Sequence, residues 1–394
     1  MIEIGHIKNL AHEIFPEVRG FRRHLHKFPE LSYHEFQTAE FITQQLQRMG
    51  IEHETGIGGN GISAWINRGH PGNVIALRAD MDALPIQEMN EVEYCSTVPG
   101  VMHACGHDVH TSCLLGAAKI LQTLKDEILH PVQLIFQPAE EVLPGGAKAM
   151  LDEGLFASRQ PTKIMGQHVY PELPAGKVGF CEGAYMASTD EIYLRVIGKG
   201  GHGAKPQSNI DPVLISAHIL TALQQVVSRS ANPATPSVLS FGRVIAEGAT
   251  NIIPNHVDMA GTFRTFDEQW RNEAHQLIER TCSGIAASLG GRIELEIRRG
   301  YPVLKNDIEV TRRSRKSAES FLGVDCVMSI DPRMTAEDFA YYTHVVPGCF
   351  YRLGTSSPDG NGFNHGIHHP QFDIDESALI TGMGLMAWLA AEGQ

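Results

Sequence analysis

The spacing of hydrophobic positions divides this chain into segments of different structure. Residues 8–49 repeat apolar positions every three or four residues, which predicts helices. Short apolar runs then alternate with helical patterns and predict buried strands at 73–80, 131–137 and 164–169. Strands that alternate with helices indicate an α/β fold with polar groups gathered at the strand ends.

The period changes near Thr189, where apolar and polar residues begin to alternate. The predicted order from there to about residue 298 is strand, helix, strand, strand, helix, strand, which is the split βαβ (ferredoxin-like) unit. The α/β pattern resumes after Gly300, with helices predicted from Thr335 and from Asp375. We therefore predict an α/β domain in two parts, 1–186 and 299–394, interrupted by an inserted domain at 187–298.

Composition narrows the class of protein. The 394 residues carry a formal net charge of -13, which argues against a nucleic-acid partner and favours a soluble protein. Seven scattered cysteines without a Cys-x-x-Cys pair fit free thiols in a reducing cytoplasm. The first residues have no apolar signal-peptide core, and the longest apolar run, 378–391, is too short to cross a membrane. We expect a cytoplasmic protein with no membrane partner.

The richest cluster of candidate metal ligands runs from His103 to His110. It contains His103, Cys105, His107 and His110 in eight residues, just before an apolar helical pattern. Taken singly, a His or a Cys is more often a structural residue than a ligand. In the sequence Cys-Gly-His, however, one glycine lets two donors turn toward one point, which favours a metal site.

Three further groups of candidate ligands lie at the ends of predicted strands or in loops of the α/β part: Glu140-Glu141, His168, and the histidines at 365, 368 and 369. Each alone could be a solvated loop or a structural residue, and their coincidence favours a common site. Adjacent glutamates suit a metal hydrolase, because one carboxylate can bind the metal while its neighbour acts as general base toward a water.

The motifs together resemble one family, the aminoacylase/hippurate hydrolase metalloamidases, which include N-acyl-amino acid deacylases and plant indole-acetyl-amino acid hydrolases. The resemblance extends over essentially the whole chain. It rests on Arg22–His26 with Pro29–Leu31, Met102–Asp108, Phe136–Glu141, Gly166–Val169, Gly198–Gly203 and His368–Pro370.

The resemblance implies a zinc-peptidase-like catalytic domain and a smaller inserted domain that forms a dimer interface. It implies a two-metal site with ligands Cys105, His107, Glu141, His168 and His368. Glu140 would be the general base. The family's ligand His stands two residues before Pro, which selects His368 over His369. Wider relatives place a bridging Asp at the position of Cys105, and they carry a ligand His where this chain has Arg78, so the partition of ligands between the metals stays open.

The inserted domain supplies three further candidates by the same resemblance. His202 matches a His that stabilises the oxyanion, often from the partner subunit, and a donor aimed at that charge lowers the barrier. Asn251 and Arg264 match positions that contact the substrate carboxylate. Without the resemblance, His202 would be an ordinary loop His, and Arg264 could equally serve a structural salt bridge.

We therefore expect a metal-dependent amidohydrolase that cleaves N-acyl-amino acids, with two divalent ions, Mn²⁺ or Zn²⁺, and with Co²⁺ or Ni²⁺ as alternatives. A homodimer or higher homo-oligomer is expected. Two rival hypotheses remain: a metallo-dipeptidase or carboxypeptidase of the same superfamily, and a non-catalytic metal-binding dimer. The presence of both Glu140 and Glu141 argues against the non-catalytic hypothesis.

Overall fold

The computed structural model describes residues 2–360 and 365–392. The chain forms two compact units. Unit 1 comprises the described residues up to Gly183, Lys305–Asp331 and those from Asp338 onward. Unit 2 comprises Ala184–Leu304 and Pro332–Glu337.

The secondary structure follows the predicted alternation of strands and helices. The helices are α1 Ile4–Lys27, α2 Phe36–Arg48, α3 His107–Thr123, α4 Gly146–Asp152, α5 Pro212–Gln225, α6 Glu268–Ser288, α7 Ile308–Leu322, α8 Ala340–Thr343 and α9 Ala378–Ala391. The strands are β1 Glu52–Ile57, β2 Gly61–Ile66, β3 Ile75–Asp80, β4 Val132–Gln137, β5 Lys163–Pro174, β6 Val178–Phe180, β7 Gly183–Met186, β8 Asp190–Ile197, β9 Gly201–His202, β10 Ser237–Ile245, β11 Ile252–Ile253, β12 His256–Thr265, β13 Arg292–Arg299, β14 Leu304–Asn306, β15 Val327–Ser329 and β16 Gly348–Ser356.

Unit 1 is built on a mixed eight-stranded sheet in the order β1-β2-β4-β3-β5-β16-β6-β15. Its central strands β4, β3, β5 and β16 are parallel. Strands β3 and β4 are buried along their whole length, which explains why they appear in the sequence as continuous apolar runs. Parallel strands bring their carboxyl ends to one edge. Glu140 and Glu141 follow the end of β4, whereas His168, which the sequence placed near a strand end, lies inside β5.

Helices α1, α3 and α9 pack together, and α3 and α9 also contact β3. Helix α9 is almost entirely buried, so its apolar run is a core helix, as predicted. Among the residues that the structure describes, no helix combines the length and the apolar character that a membrane span would require.

Unit 2 has its own core. Its four-stranded antiparallel sheet has the order β10-β12-β8-β13, and the elements follow one another as β8-α5-β10-β12-α6-β13. Apolar side chains of α5 and α6 share one cluster with those of the sheet. The predicted split βαβ order is therefore present between residues 190 and 299.

One predicted helix is wrong. Residues 335–337 are not helical, and the short helix α8 begins only at Ala340. Thr335 and Asp338 have the spacing of a capping box, but the Asp338 carboxylate accepts hydrogen bonds from Arg78, Gln137 and the Ala147 N–H. Long-range hydrogen bonds have here replaced the local capping that the sequence suggested.

Candidate metal centre

The turn before α3 aims Cys105 and His107 at one point. Gly106 between them has a φ of +78°, which a residue with a side chain rarely adopts. A Cβ on Gly106 would also lie 2.7 Å from the side chain of Val169. Glycine is therefore needed here both for the left-handed backbone and for the close approach to β5.

The structure brings all five predicted ligands together in two overlapping groups. Cys105, His107 and His168 form one group, and Cys105, Glu141 and His368 form the other. Within each group the candidate ligand atoms lie within 4.8 Å of one another. Cys105 belongs to both groups, so it is the side chain that could be shared between two cations.

Two atoms of the cluster are buried and have no hydrogen-bond partner among the described residues: His107 Nε2 and Glu141 Oε1. They lie 3.9 Å apart, and His368 Nε2 lies 3.4 Å from the same Glu141 oxygen. Orphaned buried polar atoms are costly unless a partner satisfies them. A sulfur, imidazole nitrogens and a carboxylate are donors that divalent transition metals accept, so the residues fit the two-metal site that the family resemblance implies.

Hydrogen bonds behind the ligands fix which ring nitrogen faces the cluster. His107 Nδ1 lies 3.1 Å from Asp82 Oδ1, and His168 Nδ1 lies 2.9 Å from the Val169 carbonyl oxygen. When these Nδ1 atoms donate, the Nε2 atoms are left with lone pairs that point at the site. Asp82 also accepts from the Glu141 N–H at 3.0 Å, so one carboxylate positions two ligands.

The electrostatics of the cluster favour protons or cations. Burial and the nearby carboxylates of Glu141 and Glu140 raise the pKa of the Cys105 thiol well above its ordinary value. Burial alone would lower the pKa of His107, but Asp80, Asp82 and Glu141 raise it to about 10. Burial holds the pKa of His168 well below its ordinary value. The site therefore offers a neutral imidazole at His168, whereas Cys105 and His107 must lose protons to bind a metal.

Glu140 lies beside the ligands and is almost fully buried. It shares a third group with His107 and Glu141, again with candidate atoms within 4.8 Å. The Asp338 N–H approaches Glu140 Oε1 at 3.4 Å. A carboxylate in this position can accept a proton from a water held at the cluster.

The other histidines near these motifs do not join either group. His110 uses both ring nitrogens, with Nδ1 2.5 Å from Asp80 Oδ1 and Nε2 accepting from the Val169 N–H. His103 is buried, and neither of its ring nitrogens has a hydrogen-bond partner within the part of the chain that the structure describes; burial lowers its pKa to about 4. His365 and His369 stack on each other with ring centroids 4.1 Å apart.

Sequence reasoning missed the polar residues that support the ligands. Arg78 is completely buried and pairs with Asp80 at 2.6 Å and with Asp338 at 2.8 Å. Asp80 and Asp82 lie at the end of the strand predicted at 73–80, and nothing in the local sequence marks them as supports of the ligands. Asp338 lies 260 positions from Arg78, and nothing local in the sequence joins them.

His202 and Asn251 come together within unit 2. His202 lies in β9, which pairs with β11, and the Gly203 N–H donates to the Asn251 carbonyl oxygen at 2.8 Å. Both residues are exposed within the unit. The Ala204 N–H donates to His202 Nδ1 at 3.0 Å, so a neutral His202 carries its proton on Nε2. Their roles remain predictions.

Arg264 is a half-buried cation of unit 2. Its Nη1 donates to the Met334 carbonyl oxygen at 3.1 Å, and burial lowers its pKa. Within the described parts of the chain, 2–360 and 365–392, it forms no ion pair. The structural salt bridge that we considered for Arg264 is therefore absent from these residues, which leaves the guanidinium able to accept an anion.

Comparison with known proteins identifies a family whose sequence pattern this chain matches. A model described as Peptidase family M20/M25/M40 matches residues 76–392. The N-acyl-L-amino acid amidohydrolase of Geobacillus stearothermophilus is 44% identical over 302 residues, with 76% of this chain and 81% of that protein covered. Thermostable carboxypeptidase 2 of Saccharolobus solfataricus is 38% identical over 387 residues, with 98% and 97% covered.

A solved structure is also similar over its whole length. It is a Bacillus subtilis protein described as a dinuclear metal binding peptidase from M20 family. The TM-score is 0.82 at 34% sequence identity, and the alignment covers 97% of this chain and 98% of that one.

Proposed function

This chain belongs to peptidase family M20/M25/M40, and from that premise we propose that it hydrolyses the amide bond of N-acyl-amino acids, such as acetyl- or benzoyl-amino acids. The family and the relatives identify an amide hydrolase. The observation that carries the finer proposal is the pair of ligand groups that share Cys105 and have Glu140 beside them. A named N-acyl-L-amino acid amidohydrolase among the relatives supports the substrate class.

We assign the ligands by the two groups. Cys105, His107 and His168 would hold one cation, Cys105, Glu141 and His368 would hold the other, and the thiolate would be shared. Imidazole and carboxylate suit Mn²⁺, Zn²⁺, Co²⁺ or Ni²⁺, and one thiolate favours the softer of these ions. Bound there, divalent cations supply Lewis acidity toward a carbonyl oxygen and lower the pKa of water.

In this mechanism the protein's own groups move the proton and orient the substrate. The Glu140 carboxylate accepts a proton from the attacking water and then donates it to the nitrogen of the leaving amine. His202 would donate from Nε2 to the developing oxyanion. Arg264 and Asn251 would bind the substrate carboxylate, because a guanidinium forms charge-assisted hydrogen bonds with that group.

The reaction is tested by removing and restoring the metal. The protein is stripped with a chelator, reloaded separately with Mn²⁺ or Zn²⁺, and assayed for free amino acid release from acetyl-, benzoyl- and indole-acetyl-amino acids. We expect activity only after reloading. A metal-loaded protein that releases nothing from any of these substrates would refute the proposal.

Glu140→Gln tests the general base. The amide keeps the size of the side chain but cannot take the proton, so we expect kcat to fall by roughly 100- to 10,000-fold. Metal content, measured by elemental analysis, should stay at the level of the unmodified protein. Normal turnover in this variant would remove Glu140 from the mechanism.

A carboxypeptidase is the second candidate, because a relative of 38% identity over 387 residues carries that name. The same assay distinguishes the two when dipeptides are added to the panel. Release from dipeptides alone would move the proposal from N-acyl-amino acids to peptides.

We also propose that the chain forms a homodimer through unit 2. Strand β10 is an edge of its sheet, and Val238, Val244 and Ile245 on it are exposed. Unpaired edges with apolar side chains are sites of association. Light scattering should give a dimer mass, and Val244→Lys should lower it; Glu294→Lys, on the other edge strand, is the matched control. A monomeric unmodified chain would exclude the dimer.

The seven cysteines are free, which agrees with a reducing compartment. We therefore propose that the reaction takes place in the cytoplasm.

A further inference from the structure

The segment Leu31–Glu35 connects the N-terminal region to the metal centre. Leu31 forms a parallel bridge with Ala83, and the Ser32 hydroxyl donates to Asp82 Oδ2 at 2.6 Å. Glu35 is completely buried. This segment continues the Pro29–Leu31 block of the sequence, to which the proposed mechanism gives no role.

Glu35 contacts the residue that precedes the proposed base. Its Oε1 accepts a hydrogen bond from the Ala139 N–H at 2.8 Å, and the two residues are 104 positions apart. The same oxygen accepts from the Tyr33 N–H at 3.0 Å, and Oε2 accepts from Asn60 Nδ2 at 3.0 Å. Three donors therefore fix the orientation of this carboxylate.

Ala139 adopts a conformation that alanine normally avoids. Its φ is +50°, in the left-handed region, where a Cβ is disfavoured. Both of its peptide groups are held: the N–H donates to Glu35, and the carbonyl oxygen accepts from the Gly146 N–H at 2.9 Å. A non-glycine residue persists in such a conformation only when its surroundings impose it.

The position of Glu140 follows from anchors on either side of it. Ala139 precedes it and is held by Glu35. Glu141 follows it and is held separately, because its N–H donates to Asp82 Oδ2 at 3.0 Å. Loss of the first anchor would leave the Glu141 ligand in place and would release the backbone that aims Glu140.

The chemical identity of Glu35 needs explanation as well. All three of its hydrogen-bond donors are uncharged, and no ion pair reaches it from the described residues. Burial raises the pKa of Glu35, as expected for a carboxylate in such surroundings. Burying a carboxylate without a cation costs more free energy than a hydrogen bond to a backbone N–H contributes. A contribution to stability therefore does not explain why this residue is a glutamate.

We propose that Glu35 is a positioning residue for the amide hydrolysis, which holds Ala139 in the left-handed conformation and thereby aims the Glu140 carboxylate. This inference rests on the proposed function, since Glu140 must be the base for its aim to matter. Misplacement of a catalytic group by about 1 Å can lower the rate roughly 100-fold.

The test is a cycle of variants in the metal-loaded enzyme: Glu35→Ala, Ala139→Gly and both together. We expect Glu35→Ala to lower kcat roughly 100-fold while KM and metal content stay unchanged. Glycine adopts a positive φ without strain. In the Ala139→Gly background, the factor by which Glu35→Ala lowers kcat should therefore be roughly tenfold smaller. A coupling of this size is ordinary between residues in contact.

Glu30→Gln is the matched control. The Glu30 carboxylate lies in the same segment and accepts from the Thr38 N–H at 2.8 Å, but it contacts the first turn of α2 instead of Ala139. It should retain kcat. The absorption spectrum of the Co²⁺-loaded Glu35→Ala enzyme should match that of the unmodified enzyme, because the ligands are unaffected.

Unchanged kcat in Glu35→Ala, or an equal loss with alanine and with glycine at position 139, would overturn the inference. If Glu35→Ala fails to fold or to bind metal, Glu35→Met decides, because it keeps most of the side-chain volume and removes the oxygen that accepts from the Ala139 N–H: a lower kcat with full metal content supports the inference, and normal kcat overturns it. The unmodified enzyme and Glu140→Gln are assayed alongside. An inactive unmodified enzyme would refute the proposed function itself, whereas an active one isolates the effect of Glu35.

Discussion

At the scale of single residues, metal binding at this site depends on the protonation of the side chains as well as on their geometry. The Cys105 thiol has a raised pKa because it is buried among carboxylates. His107 is held in its charged form by Asp80, Asp82 and Glu141. Without a cation these two proposed ligands therefore keep protons near neutral pH, and a metal bound to them must displace those protons.

We predict that metal binding releases protons and strengthens as pH rises. Because both pKa values are raised, each displaced proton should improve the apparent affinity about tenfold per pH unit at pH values below those pKa values. Titration calorimetry in buffers of different ionisation enthalpy measures the number released. Cys105→Ala should release one proton fewer, and a binding enthalpy that does not depend on the buffer would contradict the prediction.

At the scale of elements, a buried ion pair joins the first strand of unit 2 to its second long helix. Asp190 opens β8, and Arg271 of α6 contacts both of its carboxylate oxygens, at 2.5 and 2.9 Å. His275 lies 2.7 Å from Asp190 Oδ2. Arg271 also donates to the carbonyl oxygens of Thr189 and Gly300, so one side chain ties the helix to both ends of the inserted segment.

We predict that Asp190→Asn destabilises unit 2 by roughly 3 kcal/mol, because it removes the buried charge partner of a buried guanidinium, which keeps only the partly exposed Glu268. Burial raises the pKa of Asp190, but hydrogen bonds from His275 and Arg271 hold it below its ordinary 3.8. Stability from this carboxylate is thus present above about pH 4 and disappears as pH falls further. Chemical denaturation at pH 7 and at pH 3 measures both effects. If the variant and the unmodified protein differ in free energy of unfolding by the same amount at both pH values, Asp190 is not the source of this pH dependence.

Elements with a clear period were predictable from the sequence, and so was the turn that ends in His107. Apolar runs indicated β3 and β4, because strands buried on both faces carry little polar surface. The contact between Glu35 and Ala139 was not predictable, since no local pattern marks a hydrogen bond that spans 104 positions. The supposed helix start at Thr335 failed for a related reason, because Asp338 serves distant donors.

At the scale of the whole molecule, the described chain carries two separate hydrophobic cores. One belongs to unit 1 and surrounds α1, α3 and α9. The other belongs to unit 2 and lies between its sheet and its helices α5 and α6. All five predicted metal ligands belong to unit 1, so a bound cation stabilises that unit directly.

We predict two thermal transitions that respond to different perturbations. Removing the metal should lower the melting temperature of unit 1, because a ligand of the folded state stabilises it by mass action. Asp190→Asn should lower the other transition. Differential scanning calorimetry with and without chelator checks this, and a single transition that moves as a whole under both changes would show that the units unfold together.

The dispersal of the ligands along the chain has a consequence for how the protein is made. A ribosome synthesises Cys105 and His107 first, then Glu141 and His168, then all of the inserted segment, and His368 near the end. During translation the group of Cys105, His107 and His168 is completed long before the group that needs His368. With the proposed ligands, the nascent polypeptide can therefore assemble only a partial set of donors, and metallation of the complete proposed centre would have to wait until synthesis has passed residue 368.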